Sequence, residues 1–260
     1  MTTQGVSHAK GHVPARNILG AMVASLSWTD GLALLNRLVC EHLFTPVGFL
    51  NAHSANVASA DTRFLEALDH FLMLPDGIGV DIAARMLYGA PFPSNLNGTD
   101  FIPALLEDIP TPLSVGLLGA SSQNVQAAAQ ALARRAPQHR YTVIHDGFFH
   151  REEEAGVLDA IEALHPDMLL VAMGVPRQEM WINANITERH CTMPVAVGAL
   201  FDFLSGAIPR APSWMRRLRL EWVYRLALEP MRLWRRYILG NPLFLVRVMR
   251  QKMGRHRGRP

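Results

Sequence analysis

Short apolar runs alternate with longer amphipathic stretches along most of this chain. The apolar runs predict strands at 46–50, 113–119, 141–146, 167–173 and 195–198. The amphipathic stretches predict helices at 54–72, 78–88, 121–135, 152–164 and 179–189. Strands that alternate with helices are typical of parallel βαβ units. We therefore expect an α/β body with a parallel sheet and helices on both faces.

The alternation stops near Pro209–Pro212. After it, three prolines stand near the starts of helical patterns, which predict helices at 213–228, 230–239 and 242–253, with Gly240 as a helix end. We divide the chain into a body, residues 1–208, and an appendage, residues 209–260. Residues 1–15 of the body are polar, and we expect them to be disordered.

Positive charge is concentrated at the C-terminal end. Residues 206–260 hold 14 Arg and Lys against two acids, whereas the remaining residues have a net charge of −9. Tryptophan, tyrosine and phenylalanine alternate with these arginines, a pattern that solvated charge runs lack. Such a segment favours a polyanionic partner, which could be a membrane surface, a nucleic acid or an acidic protein.

Composition limits the class of protein. Apolar residues make up 49% of the chain, enough for a sizeable core. Cys40 and Cys191 give neither a disulfide framework nor zinc-site spacing, which fits a reducing cytoplasm. The longest strongly apolar run, 168–175, is far shorter than the ~20 residues of a membrane helix, and we expect no signal peptide. We expect a protein that lies on a membrane without spanning it.

Five polar clusters follow predicted strands or begin predicted helices. They are Asn51-Ala52-His53; Leu74 to Asp81, with Asp76, Gly77 and Gly79; Leu96 to Asp100, with Asn97 and Thr99; Gly174 to Glu179, with Gln178; and Phe201 to Phe203, with Asp202 and the nearby Arg210. In open α/β sheets, ligands gather at the carboxyl ends of the strands. Each acid also has a structural interpretation, as a helix cap or as the salt-bridge partner of a neighbouring arginine.

Several common motifs are missing from the sequence. There is no Asp-x-Asp pair of the kind that holds a divalent ion on a nucleotide diphosphate, and we expect neither a metal nor a cofactor. Gly77-Ile78-Gly79 lacks the third glycine of the dinucleotide fingerprint, and neither a Walker A nor a G-x-S-x-G motif is present. The eleven histidines are scattered along the sequence, and we expect them to be surface or helix-cap residues and not metal ligands.

Six ordered motifs together resemble one family. They are LPDGIGV at 74–80, NGTD at 97–100, GVPRQEMW at 174–181, FDFLSG at 201–206, RAPSWM at 210–215 and LEWVYRLALEPMRLWRRY at 220–237. The chain resembles the WecG/TagA/CpsF glycosyltransferases, glycosyltransferase family 26, from about residue 18 to residue 249.

The resemblance implies a Rossmann-like body and an appendage that docks on the membrane and completes the active site. It implies an inverting hexosyltransferase that moves a sugar, of glucose or N-acetylmannosamine type, from a UDP-sugar to a polyprenyl-diphosphate-linked sugar. Such reactions build bacterial exopolysaccharides and cell-envelope polymers. The expected partners are these two substrates and an anionic membrane, at the cytoplasmic face of the plasma membrane, and not nucleic acid.

The resemblance also implies residue roles. Asp76 matches the proposed general base, with Asp81 as the alternative. Arg225, Arg232 and Arg235 match appendage arginines that stabilise the leaving diphosphate, although each could instead contact lipid headgroups. The other implied substrate-site residues are Asn51, Gly77, Gly79, Asn97, Thr99, Asp100, Gln178, Asp202 and Arg210.

One difference from the pattern of this family bears on the choice of donor sugar. Several relatives have a threonine just before the asparagine of the first cluster, whereas Gly48-Phe49-Leu50-Asn51 carries no hydroxyl there. This difference favours glucose slightly over N-acetylmannosamine. Two other functions stay open on the residues alone: a Rossmann-type oxidoreductase, which the incomplete glycine fingerprint disfavours, and a nucleic-acid binder that uses the basic appendage.

Overall fold

A computed structural model describes residues 13–212, 214–215 and 220–257, with side chains as far as residue 254. Its strands are β1 (Ala15–Ile18), β2 (Ala21–Ala24), β3 (Val47–Leu50), β4 (Leu72–Pro75), β5 (Ser114–Gly119), β6 (Arg140–His145), β7 (Met168–Ala172) and β8 (Met193–Ala196). They form one sheet in the order β1-β2-β4-β3-β8-β7-β5-β6. The β1–β2 pair is antiparallel and the other pairs are parallel.

The helices of the body are α1 (Trp28–Cys40), α2 (Ala52–Ala58), α3 (Thr62–Leu68), α4 (Ile78–Tyr88), α5 (Gly98–Asp108), α6 (Ser122–Arg135), α7 (Glu154–Leu164), α8 (Arg177–Asn185) and α9 (Leu200–Leu204). Those of the appendage are α10 (Glu221–Leu228), α11 (Pro230–Trp234) and α12 (Gly240–Arg257), with a π-helical turn at Arg235–Leu239 between the last two.

Both faces of the sheet are covered by helices. Along β7, Met168 and Leu170 belong to one apolar cluster, whereas Leu169 and Val171 belong to the other. This alternation places the two clusters on opposite faces of the sheet. The first cluster includes side chains of α1, α5, α6 and α9, and the second includes side chains of α2, α3, α4, α7, α8 and α12. The predicted α/β, Rossmann-like architecture is confirmed.

The predicted disorder of residues 1–15 is wrong at Pro14 and Ala15, which the structure describes. Residues 1–12 lie outside the described part of the chain. Ala15 already begins β1, and the Ser25 N–H donates to the Pro14 carbonyl oxygen at 2.7 Å. The β1–β2 hairpin and α1 had no counterpart among the predicted elements.

The single helix predicted at 54–72 is also wrong. The chain forms two helices, because the Asp61 carboxylate accepts hydrogen bonds from the backbone N–H groups of Arg63 and Phe64 and so begins a new helix. The last residue of the predicted helix, Leu72, begins β4.

In the appendage, Pro230 occupies the first turn of a helix, as predicted. Gly240 does not end a helix: its φ of −68° is right-handed, and α12 begins there. Residues 213 and 216–219 of the first predicted helix lie outside the described residues.

Helix α12 packs on α2 and α4 of the body. Phe244 and Val248 are buried in the second apolar cluster, and the Arg247 guanidinium donates to the Asn56 carbonyl oxygen at 2.7 Å. The C-terminal helix therefore extends the core of the body. Within the described residues, no helix is both long enough and apolar enough to cross a membrane.

Candidate active site

Asn51 and Asp76 lie side by side at the carboxyl ends of β3 and β4. Leu50 and Pro75 are partners in the parallel ladder, and the Asp76 N–H donates to the Leu50 carbonyl oxygen at 2.9 Å. The Asn51 amide donates to Asp76 Oδ2 at 3.2 Å, while its oxygen caps α2. The strand register thus brings together two side chains that are 25 positions apart in sequence.

Gly77 lets the chain turn sharply after Asp76. Its φ is +89°, a value that residues with a side chain rarely adopt, and its N–H donates to Asn95 Oδ1 at 2.7 Å. Asp81 is buried on the next turn, accepts the Phe92 N–H at 3.2 Å and lines neither of the cavities described below. Its position supports a structural role.

A cavity of about 430 Å³ opens along the carboxyl edge of the sheet, and we call it the sheet-edge cavity. It is lined by Phe49, Asn51, Asp76, Asn97, Gly98, Thr99, Ala120, Phe148, Ala172, Met173, Gly174, Val175, Gln178, Glu179, Ala196, Val197, Gly198, Ala199, Asp202, Phe203, Arg225, Arg232 and Arg236. Its walls therefore come from the ends of six parallel strands and from the appendage.

A second cavity of about 590 Å³ lies between α4 and the appendage, and we call it the appendage cavity. It is lined by Asn51, Ala52, His53, Asp76, Gly77, Ile78, Gly79, Ile82, Asn95, Asn97, Thr99, Asp100, Phe203, Leu220, Glu221, Trp222, Arg225, Arg236, Tyr237, Ile238, Asn241, Pro242, Phe244 and Leu245. The two cavities share one wall, which is formed by Asn51, Asp76, Asn97, Thr99, Phe203, Arg225 and Arg236.

The electrostatic environment of Asp76 suits proton transfer. The side chain faces the cavities, but protein surrounds it on its other sides, and this burial raises the pKa of the carboxyl group. The Asn51 hydrogen bond and the charges of Arg236 and Arg225 favour the ionised form and partly offset the rise in pKa. A carboxylate with a raised pKa is a stronger base than an exposed one.

The appendage places three guanidinium groups at the sheet-edge cavity, from Arg225, Arg232 and Arg236. Arg225 lies over the Phe203 ring at 5.3 Å, and Glu229 pairs with both Arg225 and Arg232. Burial, followed by the charge of Arg225, lowers the pKa of Arg236. Because these like charges repel one another, the group favours the binding of an anionic ligand.

Arg235, which the sequence predicted for this role, is exposed, lies over the Trp234 ring at 5.4 Å and lines neither cavity. Arg236 takes this place, since it is half-buried and lines both cavities. At about 3.6 residues per turn, the residue four positions after Arg232 lies nearer to its face than the residue three positions after it. The resemblance therefore pointed to the neighbour of the arginine that lines the cavities.

Asn97 and Thr99 contribute to both cavities. Asn97 caps α5 by accepting the Asp100 N–H at 3.0 Å, and the Thr99 hydroxyl donates to Asn97 Oδ1 at 2.7 Å. Arg210 lines neither cavity: it pairs with Asp100 and Glu221 and lies over the Phe203 ring at 5.0 Å. Arg210 therefore joins the body to α10.

Gln178 orders two loops of the sheet-edge cavity. Its buried Oε1 accepts the N–H groups of Gly174 and Gly198 at 3.2 and 3.1 Å, and its Nε2 donates to Glu179 Oε1 at 2.8 Å. These bonds support a positioning role for Gln178 in place of the predicted substrate contact. Asp202 lines the same cavity and accepts the Asn124 amide at 2.8 Å.

The sequence analysis gave no role to two titratable side chains of the cavity walls. Burial raises the pKa of Glu179 to about 7. Burial and the charge of Arg236 lower the pKa of His53 to about 4, so this imidazole is neutral at pH 7. Both residues stood in the polar clusters, but their burial depends on packing that no local pattern contains.

The chain is similar in sequence to known proteins over most of its length. The chain matches the model of the Glycosyl transferase WecG/TagA/CpsF family over residues 16–258. A Bacillus spizizenii protein named N-acetylglucosaminyldiphosphoundecaprenol N-acetyl-beta-D-mannosaminyltransferase is 34% identical over 69% of this chain and 68% of its own length. Proteins of the same name from Bacillus subtilis and Staphylococcus aureus are 31% and 30% identical, over 79% and 78% of either chain. The chain belongs to the WecG/TagA/CpsF family of glycosyltransferases.

Proposed function

We propose that the protein is an inverting glycosyltransferase that moves a hexose from a UDP-sugar to a polyprenyl-diphosphate-linked sugar, in the synthesis of a bacterial exopolysaccharide or cell-envelope polymer. One observation carries the proposal: Asp76 lies in the wall that the two cavities share, together with Arg225 and Arg236. A transferase of this kind must hold a donor and an acceptor on either side of one base.

In the proposed reaction the donor lies in the sheet-edge cavity and the acceptor sugar enters from the appendage cavity. An acceptor hydroxyl attacks the anomeric carbon of the donor, and Asp76 takes the proton of that hydroxyl. The bond from the anomeric carbon to the diphosphate oxygen breaks, and UDP leaves from the opposite side of the carbon, which inverts its configuration. Asn51 holds the base through its 3.2 Å hydrogen bond.

The leaving diphosphate gains negative charge as this bond breaks. Arg225, Arg232 and Arg236 supply positive charge at the end of the sheet-edge cavity that contains Asp76. Fixed cations in a partly closed site stabilise such charge without reorganising during the reaction. These arginines explain how transfer could proceed without a metal ion.

The acceptor assignment is supported by the lining of the appendage cavity and by the names of the relatives. Ile82, Ile238 and Leu245 provide apolar surface in its wall, and Ile82 and Ile238 are exposed. The relatives are named for an undecaprenol-diphosphate-linked N-acetylglucosamine acceptor and for transfer of N-acetylmannosamine. We propose an acceptor of this class, bound by a protein that lies on the cytoplasmic face of the plasma membrane.

The proposal is tested by incubating the protein with short-chain lipid-diphosphate-N-acetylglucosamine and either UDP-N-acetylmannosamine or UDP-glucose, with excess EDTA present. We expect transfer from one of these donors in EDTA, and a loss of about 10²-fold or more in Asp76→Asn with UDP affinity retained. Asp69→Asn, which changes an exposed carboxylate, is the matched control. Near wild-type turnover in Asp76→Asn would contradict the role of the base, and activity that returns only with Mg²⁺ or Mn²⁺ would contradict the role of the arginines.

A further inference from the structure

An acid stands among the arginines of the sheet-edge cavity. Glu229 Oε1 accepts a hydrogen bond from Arg232 Nη1 at 2.7 Å, and Glu229 Oε2 lies 3.9 Å from Arg225 Nη2. Both arginines line the sheet-edge cavity, whereas Glu229 lines neither cavity. A carboxylate at this place works against the binding of an anion, because like charges repel. If the arginines served by their charge alone, Glu229 would be a disadvantage, so its position requires another explanation.

The backbone places Glu229 at the junction of two helices. It follows the last residue of α10, and Pro230 begins α11 directly after it. Its φ of −128° and ψ of 59° are not helical, which fits the restriction on a residue that precedes proline. Its N–H donates to the Arg225 carbonyl oxygen at 2.9 Å, and its carbonyl oxygen accepts the N–H of the buried Leu233 at 3.0 Å. The side chain therefore starts from a fixed point between the arginine of α10 and the arginine of α11.

An ordinary surface ion pair is the simplest alternative, and such pairs contribute little to stability. The Arg225 side chain is 13% exposed, however, and Glu229 Oε2 and Arg225 Nε are both buried without a hydrogen-bond partner within the described residues. The guanidinium carbon of Arg225 also lies 5.3 Å from the centroid of the Phe203 ring. The ring and the carboxylate thus hold Arg225 from two sides, in an enclosed pair that differs from a mobile surface pair.

Arg232 differs from Arg225, because its side chain is 60% exposed. A long exposed side chain samples many rotamers, and fixing it costs conformational entropy. The 2.7 Å hydrogen bond to Glu229 restricts this freedom before a ligand binds. Fixed donors stabilise a developing anion better than mobile ones, because they need no reorganisation during the reaction. One carboxylate thus orders two guanidinium groups that belong to different helices.

We propose that Glu229 is a positioning residue that aligns Arg225 and Arg232 for the leaving diphosphate. This inference rests on the proposed function, because it requires transfer from a nucleoside-diphosphate sugar. Two effects of Glu229 then have opposite signs. Its charge weakens the attraction of the site for UDP, whereas its hydrogen bond and ion pair hold the two arginines in the geometry that the transition state needs. Loss of the carboxylate should therefore separate binding from turnover.

The test compares Glu229→Gln with wild type by UDP titration, single-turnover transfer assays and thermal unfolding. We expect the single-turnover rate, which excludes UDP release, to fall by about tenfold or more, because misplacement of a catalytic group is costly. UDP should bind as tightly as in wild type or more tightly. The matched control is Glu162→Gln, which breaks an exposed 2.7 Å pair with Arg189 and lines neither cavity. It should leave both the rate and the UDP affinity unchanged.

A double-mutant cycle with Arg232→Gln tests whether Glu229 acts through the arginines. In the Arg232→Gln background, Glu229→Gln should lower the single-turnover rate by a smaller factor than in wild type, because one of its two partners is already gone. An equal factor in both backgrounds would overturn the inference.

The other contrary results have distinct meanings. If wild type transfers the sugar and Glu229→Gln keeps the wild-type single-turnover rate, the inference is overturned while the proposed function stands. A lower unfolding midpoint together with weaker UDP binding in Glu229→Gln would assign Glu229 to stability, which also overturns the inference. If wild type transfers no sugar from a UDP-sugar, the proposed donor class is overturned, and the inference with it.

Discussion

At the scale of single residues, Asp76 is held between opposing influences on its protonation. Burial raises its pKa, whereas the Asn51 hydrogen bond and two arginines lower it. Because the proposed reaction needs the ionised carboxylate, turnover should fall as the pH drops through the raised pKa. We therefore expect Asn51 to do more than cap a helix, since its hydrogen bond lowers the pH at which the proposed base becomes available.

Asn51→Ala provides a test of this coupling. Loss of the hydrogen bond removes an interaction that favours the ionised form, so the pKa of Asp76 should rise further. We expect the acidic limb of the kcat/KM profile to move to higher pH, while the turnover at the alkaline plateau falls less than in Asp76→Asn. The matched control is Asn36→Ala, which changes an asparagine of α1 that lines neither cavity. An acidic limb that stays in place would show that Asn51 has no effect on the base.

The sequence predicted which residues line the cavities only where those residues stand in local motifs. Asp76, Asn51 and Thr99 stand in short motifs at strand ends, and all three line the cavities. Gln178 also stands in such a motif, but its side-chain oxygen accepts hydrogen bonds from two glycine N–H groups in separate loops. A pattern along the chain does not contain this pairing, because it depends on the neighbouring positions of β7 and β8 in the sheet.

At the scale of elements, the packing of the appendage decides which arginine lines the cavities. The resemblance indicated Arg235, whereas Arg236 lines both cavities and Arg235 is exposed over the Trp234 ring. These two arginines are neighbours in the sequence, so the face of the segment that meets the body separates them. That face depends on long-range packing, which no local motif contains.

Substitution of the two neighbouring arginines tests this assignment. We expect Arg236→Gln to lower kcat by about 10²-fold or more, because one fixed donor to a developing anion is commonly worth that much. Arg236→Lys should recover part of the loss, since it restores the charge without the planar guanidinium. Arg235→Gln is the competing variant: a larger loss there than in Arg236→Gln would show that Arg235, and not Arg236, stabilises the leaving diphosphate. Thermal unfolding of all three variants separates catalysis from stability.

At the scale of the whole molecule, the body and the appendage differ in net charge but share a hydrophobic core. The net charge changes sign near residue 206, as the sequence indicates. However, the buried Phe244 and Val248 make α12 part of the core, and Gln251 accepts the Leu19 N–H at 3.0 Å. The periodicity of the tail predicted its helices, but it could not show which of their faces would be covered by the body.

The uncovered face of the appendage gives the last prediction. Its exposed apolar side chains are Met231, Trp234, Ile238, Leu239, Leu243, Val246, Met249 and Met253. Their spacing of three to four residues forms a stripe along consecutive helices. Basic residues such as Arg250 and Lys252 lie on the same segment, a combination suited to an anionic membrane surface.

The combined variant Leu239→Ser, Leu243→Ser and Val246→Ser removes part of this stripe without touching either cavity. Because burial of each of these side chains in lipid is worth about 1.5–3 kcal/mol when complete, we expect binding to anionic vesicles in a sedimentation assay to weaken by at least about tenfold. Turnover of a water-soluble acceptor should remain at the wild-type level. Vesicles of zwitterionic lipid, to which the wild type should bind weakly, control for purely apolar adsorption. Unchanged binding to anionic vesicles would show that another surface meets the membrane, whereas an equal loss of turnover with the soluble acceptor would place the stripe in the active site.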